Sequence, residues 1–399
     1  MKVLYITYDG ILEPLGQSQV LGYIEELAKN NKIYLLSYEK KQDLKDKESL
    51  NSLSKRLKNN NITWYRHRYH KTPSALSTLY DISIGVIKSS YIILRHKVDA
   101  LHTRSYVPTM IAYIIKKIYD KRFIFDMRGF WVDERIDGGL WNNNSSIYKI
   151  ARNLEKKFIK NSDHIVVLTY ASKKELISNY EVHNTSISVI PTCADLDRFK
   201  PVEQDVIKND LILGYVGSIG TWYLFDKVLY VFKKLQQINS NFRLLIINRS
   251  QHAQIEEELN KANINRSCVE VISCNHKDVH KYIRVMDAGI FFYKPSFSRI
   301  ACSPTRFAEF IGCGVPCIIN AGVGDLDQII LKEKVGIVLD SFEESGVDFA
   351  LSNFIEIMNN PLTKEKCRLN AINRYSLLDG VKSYNKIYKS MESDNEKKS

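Results

Sequence analysis

The sequence predicts an α/β protein built from two doubly wound domains in tandem, facing each other across a cleft. Three observations carry this. A chain of 399 residues is too long for one small core and suits domains of ~100–200 residues each. Short, continuously apolar runs alternate with helix-period stretches almost throughout, the pattern of parallel strands covered on both faces by helices. The alternation stops once, near PTCADLDRFKPVEQD (191–205), where Pro191 and Pro201 interrupt it, and then resumes.

The elements follow in order. KVLYIT (2–7) and KIYLLS (32–37) bracket a helix in which Val20, Ile24, Leu27 and Ala28 recur at helical spacing. RFIFD (122–126), HIVVL (164–168) and ISVI (187–190) continue the first series. The second series is LILGYV (211–216), FRLLII (242–247), VEVI (269–272), AGIFFY (288–293), VPCII (315–319) and VGIVL (335–339). This places one domain over 1–195 and a second over 196–375. The polar end 392–399, ESDNEKKS, is expected to be disordered. In open parallel sheets ligands bind beyond the carboxyl ends of the strands, so the loops there are where chemistry is sought.

Composition narrows the class. At 44% hydrophobic and 26% charged the chain is ordinary globular material. Its seven cysteines form no CxxC pair, and an odd number argues against a complete disulfide framework, so reduced thiols in the cytoplasm are expected. The first residues enter a strand-like run without a signal-peptide core. No uncharged apolar stretch approaches the ~18 residues of a membrane span. The net charge of +12 is uneven: residues 1–200 carry +11 and the remainder +1. Residues 51–122 alone hold 14 basic and 3 acidic groups, interleaved with aromatics as in WYRHRYHK (64–71). Each helix of this segment taken singly reads as a solvated face. The excess taken together suits an anionic lipid surface, which attracts a Lys or Arg by about 1 kcal/mol and to which Tyr and Trp are suited. Reversible docking on the inner face of the plasma membrane is expected. No nucleic-acid motif accompanies the charge.

Four stretches could carry chemistry. In YDGILEPLGQSQVL, Gly16 lets backbone approach a ligand and Ser18 can cap the following helix. The loop DMRGFWVDERIDGGLW (126–141) sets Asp126 and Arg128 among four further charges and three large aromatics, more than a plain connection needs. YVGSIGTW (215–222) ends a strand with Gly217, Ser218 and Gly220 before a helix, a loop suited to an anion. In SPTRFAEFIGCGVPCII (303–319), Ser303 suits an N-cap, Pro304 the first helical position, and Gly312 or Gly314 the helix end. Arg306 and Glu309 then share a face. Either they hold each other, or Arg299, Arg306 and the helix N–H groups hold a diphosphate while Glu309 accepts hydrogen bonds from a pair of hydroxyls.

Together these stretches resemble glycosyltransferase family 4, retaining nucleotide-sugar-dependent transferases of GT-B fold, and in particular bacterial members that build surface polysaccharides. The resemblance runs from KVLYITYDG to the helix around Tyr384, and implies two Rossmann-like domains with a C-terminal helix (376–391) returning to the first. It implies that the first domain takes a saccharide or lipid-linked acceptor and the second a UDP- or GDP-sugar, a substrate rather than a cofactor. Gly16 would lie near the donor phosphates. Arg128 stands where many relatives carry a histidine beside the transferred sugar, and with Asp126 and Glu309 makes the expected catalytic set. Glu309 also matches the glutamate that contacts the ribose; Thr305 and Arg306, with Ser303, Arg299, Gly217 and Ser218 around them, would hold the diphosphate. Metal is not required. Two departures matter: Ala301 stands where the family's first glutamate falls, and Ser218 where an arginine is usual, so Arg306, Arg299 or Lys227 would supply that charge. A nucleotide-sugar epimerase of the same fold and a non-catalytic scaffold subunit are the competing readings.

Overall fold

A computed structural model describes residues 1–72, 74–180, 182–183, 186–202 and 209–396. Residues 203–208 of the expected join and 397–399 of the expected tail lie outside the described residues. The chain divides into two compact units, Met1–Pro191 with Leu377–Ser399, and Thr192–Ser376.

The first unit holds a seven-stranded sheet: β1 (Lys2–Thr7), β2 (Lys32–Glu39), β3 (Thr63–Arg68), β4 (Ala100–Arg104), β5 (Arg122–Asp126), β6 (His164–Val167) and β7 (Ile187–Val189). Their order is β3-β2-β1-β4-β5-β6-β7, and every pairing is parallel. The interior of the sheet is buried on both faces, as continuous runs such as Val3, Leu4, Tyr5 and Ile6 require. Two strands carry no such run. β3 is an edge strand of half-buried and exposed residues with none buried, while β4 reads ALHTR and buries all five residues, polar ones included. Hydropathy cannot reveal a central strand of that composition.

The terminal helix Leu377–Glu396 belongs to this unit. Val381, Tyr384, Tyr388 and Met391 line its buried face, and Arg122 donates to the Met391 carbonyl at 2.9 Å. The disorder expected from 392 is therefore corrected as far as Glu396. An anchored helix continues over polar residues at little cost, and the Ser393 hydroxyl bonds the Ser390 carbonyl.

The second unit holds β8 (Leu211–Val216), β9 (Phe242–Ile247), β10 (Val269–Ile272), β11 (Ala288–Phe291), β12 (Cys317–Asn320) and β13 (Gly336–Leu339). The order is β10-β9-β8-β11-β12-β13, again all parallel. The unit begins at Thr192 because Arg368 gathers the segment after it. Its guanidinium donates to the carbonyls of Leu196, Phe199 and Gly312 at 2.7–2.9 Å.

Candidate active site

In the second unit the candidate groups follow the ends of β8, β9, β10 and β11. The helix that carries Arg306 and Glu309 runs Thr305–Gly312. Pro304 is its N-cap and offers no side-chain bond, whereas the Ser303 hydroxyl accepts the Thr192 N–H at 3.1 Å. The expected Ser303 cap is thus corrected: the hydroxyl tethers the start of the unit instead. At the other end the choice between glycines resolves to Gly314, which takes φ +81° and would drive a Cβ to 2.6 Å from Lys364. Gly312 lies inside the helix, packed on Leu196 and Phe199.

Arg306 is 9% exposed, and the rings of Tyr215, Tyr223, Phe291 and Tyr293 surround its guanidinium at 4.6–6.0 Å. One nitrogen, Nη1, is buried with no hydrogen-bond partner, and no carboxylate among the described residues pairs with Arg306. A Cβ at Gly217 would stand 2.6 Å from Nη2. Together with φ +120°, this makes glycine the one residue that fits there.

Glu309, 5% exposed, bonds the Nε2 of His276 at 2.9 Å, not Arg306. His276 opens the helix His276–Ile283 after β10. Sequence reasoning missed it, although its place at a strand-end helix start is the signal that the other motifs carry.

The loop after β8 is shaped by a neighbour. Gln251 donates to the Ile219 carbonyl at 2.8 Å and accepts the Ile219 N–H at 2.9 Å. The Asn248 amide holds the Gly217 carbonyl at 2.9 Å, and the Tyr215 hydroxyl holds that of Ser218. The Ile219 N–H is therefore spent within the protein, and Ser218 itself is exposed. Arg299 packs over Trp222 at 5.0 Å and bonds the Ser298 hydroxyl at 3.2 Å. Lys227 lies over Phe342 beside Asp226. Thr305 is half-buried in the first turn beside Arg306. Of the three cations considered for the Ser218 departure, Arg306 reaches Gly217 itself, whereas Arg299 meets the loop at Trp222.

In the first unit Asp126, at the end of β5, is buried and accepts the Tyr384 hydroxyl at 3.0 Å. Arg128 Nη1 stands 3.7 Å from its other oxygen, and His102 Nε2 is also 3.7 Å away. Burial works against the Asp126 charge, but Arg128 and His102 outweigh it and hold the carboxyl below its ordinary value. Burial lowers the His102 imidazole in turn, whose Nδ1 bonds Tyr388. Arg128 sits at φ +60° and reaches Gln19 at 3.4 Å. Arg104 donates to the same Gln19 oxygen and to Asp9. The structure thus joins Arg128 and Asp126 and adds Gln19, His102, Arg104 and Tyr384, which the apolar pattern could not single out. Of the remaining charges in this loop, Asp133 is tied to Arg152. Arg152 also holds the fully buried Glu155, which the Tyr106 and Tyr180 hydroxyls complete.

Two expectations for the first loop change. A Cβ on Gly16 would stand 2.0 Å from the Gly10 carbonyl oxygen, so its glycine serves the loop's own packing, and the residue is buried. Ser18 is not a cap, because helical backbone already begins at Pro14. The loop is held by Glu39, which accepts the Ile11 and Leu12 N–H groups at 3.0 and 3.2 Å.

Metal-type ligands gather once among the described residues, at His67, His70 and Asp81, within 4.8 Å of one another. Asp81 is already engaged there by His70 and by the Tyr8 hydroxyl. Two Asp-x-Asp pairs also occur: Asp195 and Asp197 in a loop, and Asp325 and Asp327 at the start of the helix Leu326–Glu333. Asp195 accepts the Asp197 and Arg198 N–H groups, and Asp327 accepts that of Gly322 at 2.8 Å.

Comparison with known proteins agrees with this geometry. The model for glycosyltransferase family 4 matches residues 17–198, and that for glycosyl transferases group 1 matches residues 197–374. An uncharacterised 41.2 kDa protein in a cps region of Klebsiella pneumoniae is 24% identical over 330 residues, 79% of this chain and 84% of the relative. A glycosyltransferase from Rickettsia africae has the same fold at TM-score 0.70 and 17% identity, over 98% of both chains. Anabaena HepE, solved with UDP and glucose, superposes at 0.68 with 12% identity, over 98% of this chain and all of that one. Two parallel doubly wound sheets, the conjunction of Gly217 with Arg306 and Glu309, and matches that together span 17–374 lead to one conclusion: the chain belongs to glycosyltransferase family 4 and has the GT-B fold.

Proposed function

We propose that the protein is a retaining, metal-independent glycosyltransferase. It moves a sugar from a UDP- or GDP-sugar to a saccharide acceptor carried on lipid at the inner face of the plasma membrane, in surface-polysaccharide synthesis. The observation that carries this reading is Arg306, a buried cation with an unpartnered nitrogen against the glycine of a strand-end loop. A buried charge without a counter-ion is costly, and a diphosphate at the helix start would relieve it. Glu309, one turn deeper and bonded to His276, would accept hydrogen bonds from the ribose hydroxyls. The cps-region relative and the UDP-bound HepE structure support the pathway class and the donor class.

As the sugar C1–O bond to the diphosphate breaks, negative charge grows on the leaving oxygen. Arg306 and the N–H groups of the first turn stabilise it. The acceptor hydroxyl forms the new bond to C1 on the same face and gives its proton to the departing phosphate oxygen. Arg128, beside Asp126, is the first unit's proposed contact to the transferred sugar.

Calorimetric titration with UDP and GDP tests the site. Arg306→Ala is expected to weaken binding by about 1.5–3 kcal/mol through loss of a charge-assisted bond, and Glu309→Gln to weaken it less. Unchanged affinity in both variants rejects the site.

A further inference from the structure

The helix Ser74–His96 turns a large apolar face outward. Its inner face packs Ile92 and Ile93 at one end and small or polar residues along the rest: Ser77, Asp81 and Ser89 are buried, and a Cβ on Gly85 would stand 2.3 Å from the Tyr38 hydroxyl and 2.4 Å from Ile111. Six large apolar residues point the other way. Leu76, Leu79, Tyr80, Ile87, Tyr91 and Leu94 are 51–67% exposed, and at 100° per residue they fall within one third of the circumference. The stripe follows a helix of 23 residues, ~34 Å long at 1.5 Å per residue. Single exposed apolar residues are ordinary, but a continuous row of this size marks an interaction surface.

Charge selects the occupant. The one acidic residue in this helix, Asp81, is fully buried against His70 and Tyr8. Arg95 lies over the Tyr91 ring at 5.9 Å. Lys97 follows the helix and is exposed, as are Arg66 and Arg68 on β3, the strand tied to this helix by Lys88 bonding the Arg66 carbonyl. An apolar strip with tyrosines, bordered by cations and free of exposed acids, complements an anionic lipid interface. No helix among the described residues is long and apolar enough to span a bilayer, so this one would lie along the surface. We infer that the outer face of Ser74–His96 is a membrane-docking element that seats its leucines, Ile87 and tyrosines below the headgroups of anionic lipid. This deepens the reading of a lipid-borne acceptor and rests on it only for its purpose, since vesicle binding needs no sugar.

Flotation of the full chain with phosphatidylglycerol-containing vesicles, without donor or acceptor, tests it. Binding should fall with salt but persist in part at high salt, because apolar contact is not screened. Leu79→Glu combined with Leu94→Glu should lower the partition coefficient by about tenfold or more, as loss of apolar burial implies. Phe349→Glu, an equally exposed substitution in the second unit, should leave it unchanged. Complete loss of wild-type binding at high salt, or an unaltered double variant, overturns the inference. So does absence of vesicle binding with a dimer in solution that the double variant abolishes, which assigns the stripe to a second copy. UDP and GDP calorimetry on the same double variant separates the two readings: intact affinity with lost flotation leaves the transferase reading standing.

Discussion

Arg306 stands in the first turn of a helix and Arg128 in a strand-end loop, and their surroundings separate their roles. Arg306 has aromatic rings and an unpartnered nitrogen around it; Arg128 has the Asp126 carboxylate. Arg128→Ala should therefore lower kcat by one to two orders of magnitude, from loss of about 1.5–3 kcal/mol of charge-assisted bonding, with nucleoside-diphosphate affinity unchanged. Steady-state kinetics with calorimetry checks this, and an equal loss of affinity would move Arg128 into the donor site. A second residue-scale effect belongs to His164. Burial, with Lys173 nearby, lowers its pKa from 6.5 to about 4. Between those values the unfolded chain binds the proton and the folded one does not, so stability falls as pH drops through this window and is fully present above it. His164→Gln, facing Ser188, should flatten the decline in Tm on acidification. An imidazole found by NMR to titrate near its ordinary value would refute the assignment.

At the scale of elements, the strand-end loops are fixed by polar side chains that lie far away in sequence. Glu39 holds the loop after β1 through two backbone N–H groups, and Gln251 clamps the loop after β8 through both polar atoms of Ile219. Glycines fill the places where backbone meets backbone. Gly16→Ala is expected to destabilise the protein by about 1–3 kcal/mol, as overpacking does, because its Cβ would stand 2.0 Å from the Gly10 oxygen. Denaturant unfolding should show a lower midpoint with an unchanged slope. A midpoint equal to wild type would mean that the loop gives way without strain.

At the scale of the whole molecule, each unit has its own parallel sheet and its own polar constellation at strand ends, and the chain returns to the first unit through Leu377–Glu396. The cationic charge proposed to meet the leaving diphosphate is supplied by protein, from Arg306 and a helix start. Turnover should accordingly survive exhaustive chelation. Activity lost on chelation and restored by magnesium or manganese would defeat the metal-independent reading, and would direct attention to the segments around Asp195 and Asp327.

The sequence by itself determined the fold class and where the strand-end loops fall. Buried parallel strands need unbroken apolar runs, and strand-end glycines, prolines and charges are local signals. It could not determine β4, because ALHTR satisfies its polar groups through partners elsewhere: His102 through Tyr388, Thr103 through the Ile124 carbonyl, Arg104 through Asp9 and Gln19. Nor could it decide whether Arg306 and Glu309 hold each other. The answer lay with His276, 33 positions away, and a side chain's partner over that separation is set by how the sheet stacks its loops. The same holds for the direction of the Ser74–His96 stripe. Periodicity says which residues share a face, but only packing of Ser77, Gly85 and Ser89 against the core decided that the larger face turns outward.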